Sequence, residues 1–379
     1  MRKLLQFIVA IPTLGFALSA HAADVLPRPP EVPAKAWLLV DYDSGQVLAA
    51  TNAELRLPPA SLTKLAAAYV LFQDLRDGNV KLSDHVTVSA RAAEAKGTRM
   101  FLQAREEIGL ESLLQGMLAI SANDAAVALA EHDAGSEAAF VEKMNAVARV
   151  LGLTHTHFIT VNGLPATGHV TTAHDLAQLA TALRRDFPER YTWFSLKDFT
   201  HHGIRQYNRN ALLWRDPSVD GFKTGQTREA GHCLVVSAKR GNMRLIATVL
   251  GAADENARVV AGQQLLDYGF RHYETRLLYA ARTPVTQVRV WMGSASRLAL
   301  GPLRDVYVTL PRGWHERVHV RLTVKTDQVA PIASGQTIGA LSVDVDQDSI
   351  AEYPLVAIES VDRGNIFQRA ADYVRLWFQ

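Results

Sequence analysis

Three short strings carry side chains able to do acyl transfer: Ser61-Leu62-Thr63-Lys64, Ser121-Ala122-Asn123 and Lys223-Thr224-Gly225. A serine hydroxyl is a weak nucleophile and needs a base beside it. Lys64, three residues on, lies one helical turn away on the same face, and it is a base only when neutral. Burial and a second nearby cation both lower a lysine's pKa, and Lys223 is the cation on offer. Ser121 adds a hydroxyl that can pass a proton from Lys64 to a leaving amine. Asn123 adds an amide that can hold a substrate carbonyl or orient Lys64. Lys223 and Thr224 suit a carboxylate, and Gly225 lets a substrate approach the backbone. The N–H groups of Ser61 and Gln226 would form an oxyanion hole, each donor worth about 3 kcal/mol of barrier. Taken singly, each string has a plain reading, as a helix cap or a solvated lysine. Their order, separation and context argue for one site.

The elements that must position these groups are legible in outline. Trp37-Leu38-Leu39-Val40 and Gln46-Val47-Leu48 flank Asp43-Ser44-Gly45, a hairpin signal. Pro58-Pro59-Ala60 stops that sheet, and a helix is predicted from Ser61 to about Asp77, ended by Gly78. Its apolar stripe is Leu65, Tyr69, Phe72 and Leu75. Residues 111–152 read as mostly helical, interrupted at Ser121-Ala122-Asn123, and another helix is predicted over 172–184. Strands return at Cys233–Ala238 and Met243–Leu250 around Arg240-Gly241-Asn242, with a helix from Ala257 to Tyr268. Lys223-Thr224-Gly225 is expected just ahead of that hairpin, beside an edge strand able to pair with an extended peptide. Strands, then helices, then strands and a helix describe an α+β domain whose two ends share one antiparallel sheet.

The pattern changes near residue 275. Period-two alternation runs through Thr286–Val290, Val306–Leu310, Val318–Val324 and Leu341–Val345. Gly301-Pro302, Pro311-Arg312-Gly313 and Ala333-Ser334-Gly335 read as the separating turns. This is a small all-β sandwich without a catalytic cluster, suited to a spacer or docking module. In the last segment Ile366, Phe367, Ala370, Ala371, Tyr373, Val374, Trp377 and Phe378 share one helical face. Too short to span a bilayer, this helix suits a membrane interface.

Bulk properties exclude other classes. The 379 residues are 48% hydrophobic and 21% charged, with net charge +2, which gives no basic excess for nucleic acid. Arg2-Lys3, the apolar run Leu4–Leu18 and Ala20-His21-Ala22 read as an export signal cleaved before Ala23, followed by an extended leader with Pro27, Pro29, Pro30 and Pro33. Cys233, the single cysteine, sits in an apolar strand-like run and reads as a buried, inert thiol. The 13 histidines are scattered, His201-His202-Gly203 reads as a loop, and no Cys/His cluster suggests a structural zinc site.

From about residue 35 onward the chain resembles the low-molecular-mass penicillin-binding proteins of the type-5 serine D-alanyl-D-alanine carboxypeptidase family. The resemblance rests on Pro59-Ala60-Ser61-Leu62-Thr63-Lys64, Ser121-Ala122-Asn123-Asp124-Ala125, Asn208-Arg209-Asn210 with Leu212-Leu213-Trp214, Val219-Asp220-Gly221-Phe222-Lys223-Thr224-Gly225 and Met243-Arg244-Leu245-Ile246. It implies a serine β-lactamase/penicillin-binding-like domain, an antiparallel sheet plus a helical subdomain, then the sandwich and the tail. The expected divisions are 1–22 signal peptide, 23–34 leader, 35–274 catalytic, 275–363 β-sandwich and 364–379 amphipathic helix.

The resemblance further implies an enzyme that removes the terminal D-Ala from peptidoglycan pentapeptides through an acyl-Ser61. Lys64 is then the base, and Ser121, Asn123 and Lys223 complete the centre. Thr224, Gly225, Gln226, Arg209 and Arg258 bind substrate, Arg258 aligning with a family arginine that receives its carboxylate. β-Lactams acylate the same serine, and no metal or other cofactor is expected. The implied location is periplasmic, peripheral to the outer face of the inner membrane through the C-terminal helix.

Three departures stand out: Ala122 where the family usually has Gly, Gln226 where it often has His, and a stretch several residues short near Ala95-Lys96-Gly97. The rival readings are a D,D-endopeptidase or transpeptidase with the same centre, a β-lactamase, and a non-catalytic cell-wall binding protein. For the β-lactamase, the nearest counterpart of a deacylating Glu motif is Glu142-Lys143-Met144-Asn145, whose helical apolar context argues against it.

Overall fold

Alternating apolar residues at both ends of the first 270 residues form one sheet, as the period-two pattern requires. The computed structural model describes residues 28–325 and 328–376. The expected signal segment lies outside them, as do Pro27 of the leader and Trp377 and Phe378 of the tail. In chain order the first part comprises β1 (Ala36–Asp41), β2 (Val47–Thr51), α1 (Lys64–Asp77), β3 (His85–Thr87), α2 (Ala90–Ala93), β4 (Glu107–Gly109), α3 (Leu110–Ala119), α4 (Asn123–Ala134), α5 (Glu137–Val150) and α6 (Ala173–Asp186). It continues with β5 (Asp198–His201), β6 (Ile204–Tyr207), α7 (Leu212–Arg215), β7 (Val219–Thr227), β8 (Gly231–Arg240), β9 (Met243–Ala252) and α8 (Glu255–His272).

The sheet order is β2-β1-β9-β8-β7, every pair antiparallel. The N-terminal hairpin docks on β9, Ala36 facing Leu250, so the two ends of the domain share the sheet. Its two faces bury alternate residues. Leu38, Val40, Phe222, Cys233, Val235 and Ile246 join the core under α1 and α3–α6. Leu39, Leu234, Val236, Leu245, Ala247 and Val249 pack beneath α8. The Cys233 thiol is buried, which pushes it up to about 11, so it is inert.

Two sequence expectations need correction here. The helix expected from Ser61 begins at Lys64; Ala60–Thr63 form a tight 3-10 turn ahead of it. Ala60 has φ +48°, outside the helical region, and the turn after it is closed by bonds back to Pro59 and Ala60. Lys223-Thr224-Gly225 does not precede the strand hairpin but lies within its first strand, β7. Because β7 is the sheet's outer strand, one side of its backbone is unpaired. Gly78 ends α1 with φ +79°, as expected.

The remainder comprises β10 (Tyr273–Tyr279), β11 (Thr286–Trp291), β12 (Arg297–Pro302), β13 (Val306–Pro311), β14 (Val318–Val324), β15 (Gln328–Val329), β16 (Thr337–Val345), β17 (Asp348–Ala357) and α9 (Ile366–Leu376). A six-stranded sheet, β14-β16-β17-β12-β11-β15, packs with the β10–β13 pair. Gly301-Pro302, expected as a turn, instead ends β12, paired to Val356 and Leu355. A Cβ at Gly301 would sit 2.4 Å from the Thr283 carbonyl, so this glycine serves close strand packing. The two parts meet at a polar junction: Thr275 Oγ1 donates to Asp41 Oδ2 (2.7 Å), and Ser44 Oγ lies 2.7 Å from Thr309 Oγ1.

Candidate active site

The nucleophile turn is held from both sides. Leu62 N donates to the Pro59 carbonyl (3.2 Å), and Thr63 Oγ1 donates to the Ala60 carbonyl (2.8 Å). A Cβ at Gly225 would lie 3.1 Å from Ser61 N, Pro59 O and Ala60 Cβ. Gly225 therefore serves first to seat the Ser61 turn against β7, not only to admit substrate. Neither Ser61 nor Asn123 caps a helix: α1 starts after Thr63 and α4 after Ala122, with no side-chain cap at either.

Lys64 is fully buried. Its Nζ donates to Asn123 Oδ1 at 2.6 Å and to the Asn162 carbonyl at 2.9 Å, and lies 3.2 Å from Ser61 Oγ. Burial, then the charge of Lys223, push its pKa well below the ordinary lysine value, against a weaker pull from Asp124. A neutral amine has two hydrogens and one lone pair. Asn123 Oδ1 and the Asn162 carbonyl can only accept, so they take the hydrogens. The lone pair is left for the Ser61 hydroxyl proton, the arrangement a general base requires.

Asn123 is fixed in turn: its Nδ2 donates to the Lys96 carbonyl (2.6 Å) and its backbone N to the Thr98 carbonyl (2.7 Å). Of the two roles open to it from sequence, orienting Lys64 is the one this geometry makes. The short stretch around Gly97 thus borders the site directly. Ser121 has φ +67°, a left-handed conformation costly for a residue with a side chain. Its Oγ is buried with no hydrogen-bond partner. A strained, unpartnered hydroxyl beside Asn123 is positioned for a transient partner. Ala122 is wholly buried in the main core, where its methyl is accommodated.

On the far side, Lys223 and Thr224 of β7 are buried. Burial, then Arg209 and Arg258, lower Lys223 to about 7. Arg258, from α8, donates to the Arg209 carbonyl (3.4 Å) and to Glu255 (3.2 Å), while its Nε is buried without a partner. Lys223, Arg209 and Arg258 are therefore a cluster of cations with one carboxylate at its edge, a site for an anion. The Gln226 side chain is exposed.

The structure also adds groups that the sequence did not single out. Asn162 supplies the carbonyl on Lys64; its only signal was the Asn162-Gly163 turn pair. Buried Asp124 accepts from Met100 N and Leu102 N and fixes the loop between α2 and β4. His169 accepts from Ile159 N at Nδ1, so its Nε2–H faces Thr63 Oγ1 at 2.8 Å. Burial holds this imidazole down to about 4, hence neutral.

Comparison with known proteins decides the family. The model of the D-alanyl-D-alanine carboxypeptidase peptidase family matches residues 23–254. The chain belongs to this family. That of the penicillin-binding protein 5 C-terminal domain matches residues 273–363. The D-alanyl-D-alanine carboxypeptidases DacC and DacA of Escherichia coli K12 are 42% and 39% identical, over 96% and 99% of this chain and 93% and 96% of theirs. Penicillin-binding protein 5 of Haemophilus influenzae superposes with TM-score 0.85 at 37% identity, over 89% of this chain and 100% of its own. The protein is accordingly a serine D-Ala-D-Ala carboxypeptidase, a hydrolase acting on peptidoglycan. Its fold is the penicillin-binding one followed by an all-β domain, and this main reading is supported over the endopeptidase, β-lactamase and non-catalytic alternatives.

Proposed function

We infer that residues 35–274 carry out the reaction on a pentapeptide stem laid along the open edge of β7. The substrate's terminal carboxylate meets Lys223, Thr224, Arg209 and Arg258. Ser61 Oγ attacks the carbonyl of the penultimate D-Ala as Lys64 Nζ takes the hydroxyl proton. The oxyanion is held by the N–H groups of Ser61 and Gln226. The proton returns through Ser121 to the departing D-Ala amine, and water then hydrolyses the acyl-Ser61. A β-lactam, which also pairs an acylating carbonyl with a carboxylate, would stop at the acyl-enzyme.

The observation that carries this reading is a fully buried Lys64 with its Nζ 3.2 Å from Ser61 Oγ, together with the buried cations Lys223 and Arg258. Residues 275–363 would act as spacer. Residues 364–379 would hold the enzyme at the periplasmic face of a membrane, supported by the exposed apolar face of α9, where Ile366, Phe367, Tyr373 and Val374 are 79%, 85%, 69% and 59% exposed.

Mass spectrometry after exposure to a labelled penicillin and to pentapeptide tests the chemistry. One penicilloyl adduct is expected on Ser61, with free D-Ala from the pentapeptide, and Ser61→Ala should abolish both. Release of D-Ala by that variant would overturn the assignment.

A further inference from the structure

The β5–β6 hairpin turns at His202-Gly203, with φ +47° and +74°. This two-residue turn brings the His201 and His202 rings to 4.0 Å between centroids. Between them lies a carboxylate from a segment 95 positions earlier: Glu106 Oε1 is 3.5 Å from His201 Nε2 and 2.6 Å from His202 Nε2. The other Glu106 oxygen accepts from Gln103 N at 2.8 Å, which aims Oε1 at the rings. His201 and Glu106 are largely enclosed, their side chains 12% and 16% exposed, while His202 is 48% exposed. The His201 Nε2 is buried and has no hydrogen-bond partner. The three ligand atoms lie within 4.8 Å of one another, the one such group among the described residues.

We propose that Glu106, His201 and His202 form a binding site for one divalent cation of the zinc class. Two imidazole nitrogens and one carboxylate oxygen are a donor set for borderline first-row cations, unlike the all-oxygen sets of calcium or magnesium. Donors around a tetrahedral zinc stand about 3.3 Å apart, from metal–ligand bonds of about 2.0–2.1 Å. The Glu106–His201 separation already fits. The Glu106–His202 contact is a hydrogen bond and must open by about 0.7 Å on that measure, which falls on the exposed ring at the tip of a turn. Each imidazole ligates in its neutral form, its remaining proton on Nδ1.

Such a cation would staple the hairpin to the loop that braces the active site. Gln206 of β6 already donates to the Arg99 carbonyl (2.9 Å), Asp124 holds Met100 and Leu102, and the Lys96 and Thr98 carbonyls hold Asn123. The site lies apart from the reacting serine, so the role it supports is structural.

Untagged full-length protein, cleared with a chelator, is titrated with Zn²⁺ against a chromophoric chelator and separately with Co²⁺ by visible absorption. One cation per chain is expected, with intense four- or five-coordinate Co²⁺ bands and a raised melting temperature. His202→Ala, His201→Ala and Glu106→Gln should each weaken binding by about tenfold or more, while His319→Ala on β14 of the all-β part changes nothing. His202→Ala and Glu106→Gln decide the matter if His201→Ala fails to fold without metal. Absence of stoichiometric binding, or binding unchanged in those variants, would overturn the proposal.

Discussion

The two parts of this molecule treat charge in opposite ways. In the catalytic part Lys64, Lys223 and Arg258 are buried. In the all-β part, charges pair at the surface: Arg321 with Asp344 and Arg317 with Asp346, the arginine side chains 64% and 41% exposed. A cation removed from water is costly unless compensated, and at the site the compensation is partial. Burial and the charge of Lys223 push Lys64 toward its neutral form, and burial, Arg209 and Arg258 lower Lys223 to about 7. Among the described residues, the β part buries no lysine or arginine. Unsatisfied charge, more than concavity, marks where this chain does chemistry.

The sharpest way to break that contrast is to remove the buried base. Lys64→Met should slow acylation by penicillin by about 10²–10⁴-fold, the usual range for a general base, while Arg321→Ala in the β part leaves it unchanged. Stopped-flow or labelled-penicillin kinetics reads both, and a β-part effect of similar size would erase the distinction. Next in size is the tail. Deleting residues 364–379 should release the protein from membranes on sedimentation while leaving its rate on soluble pentapeptide intact; continued sedimentation would end the anchor proposal.

The smallest effect concerns stability. Lys223 loses its proton at about 7 in the folded protein and at the ordinary 10.5 when unfolded. Between these values the unfolded chain binds more protons, so stability rises with pH, by up to about 1.4 kcal/mol per unit for one group. Lys64 acts in the same direction. Denaturant melts across that range should show the rise, and Lys223→Met should flatten it; an unchanged slope would place Lys223 in solvent.

What sequence could read here depended on distance along the chain. The Ser61–Lys64 pair is local, and its geometry followed from helical spacing. The division of one expected helix into a turn and α1 was hidden because the turn is seated by distant residues: a Cβ on Gly163 would fall 1.9 Å from the Ala60 carbonyl and one on Gly225 3.1 Å from Ser61 N. The shared sheet was legible from alternation at both ends, whereas β12 was lost because Gly301-Pro302 reads locally as a turn. Asn162, as a backbone acceptor, has no side-chain signature for its role. Glu106 joins His201 and His202 only through the docking of a hairpin on a distant loop, so scattered histidines concealed the cluster.

The central claim is that Lys64 is neutral in the resting enzyme and takes the Ser61 proton. Its most direct test is the pH dependence of single-turnover acylation by penicillin at low concentration, which reports the free enzyme's ionisations. The account predicts a rate that falls in acid, as Lys64 protonates, and falls again above about 7, as Lys223 loses the charge that receives the carboxylate. A rate that climbs about tenfold per pH unit from neutrality toward 10.5, the ordinary lysine value, would show a charged Lys64 and contradict it.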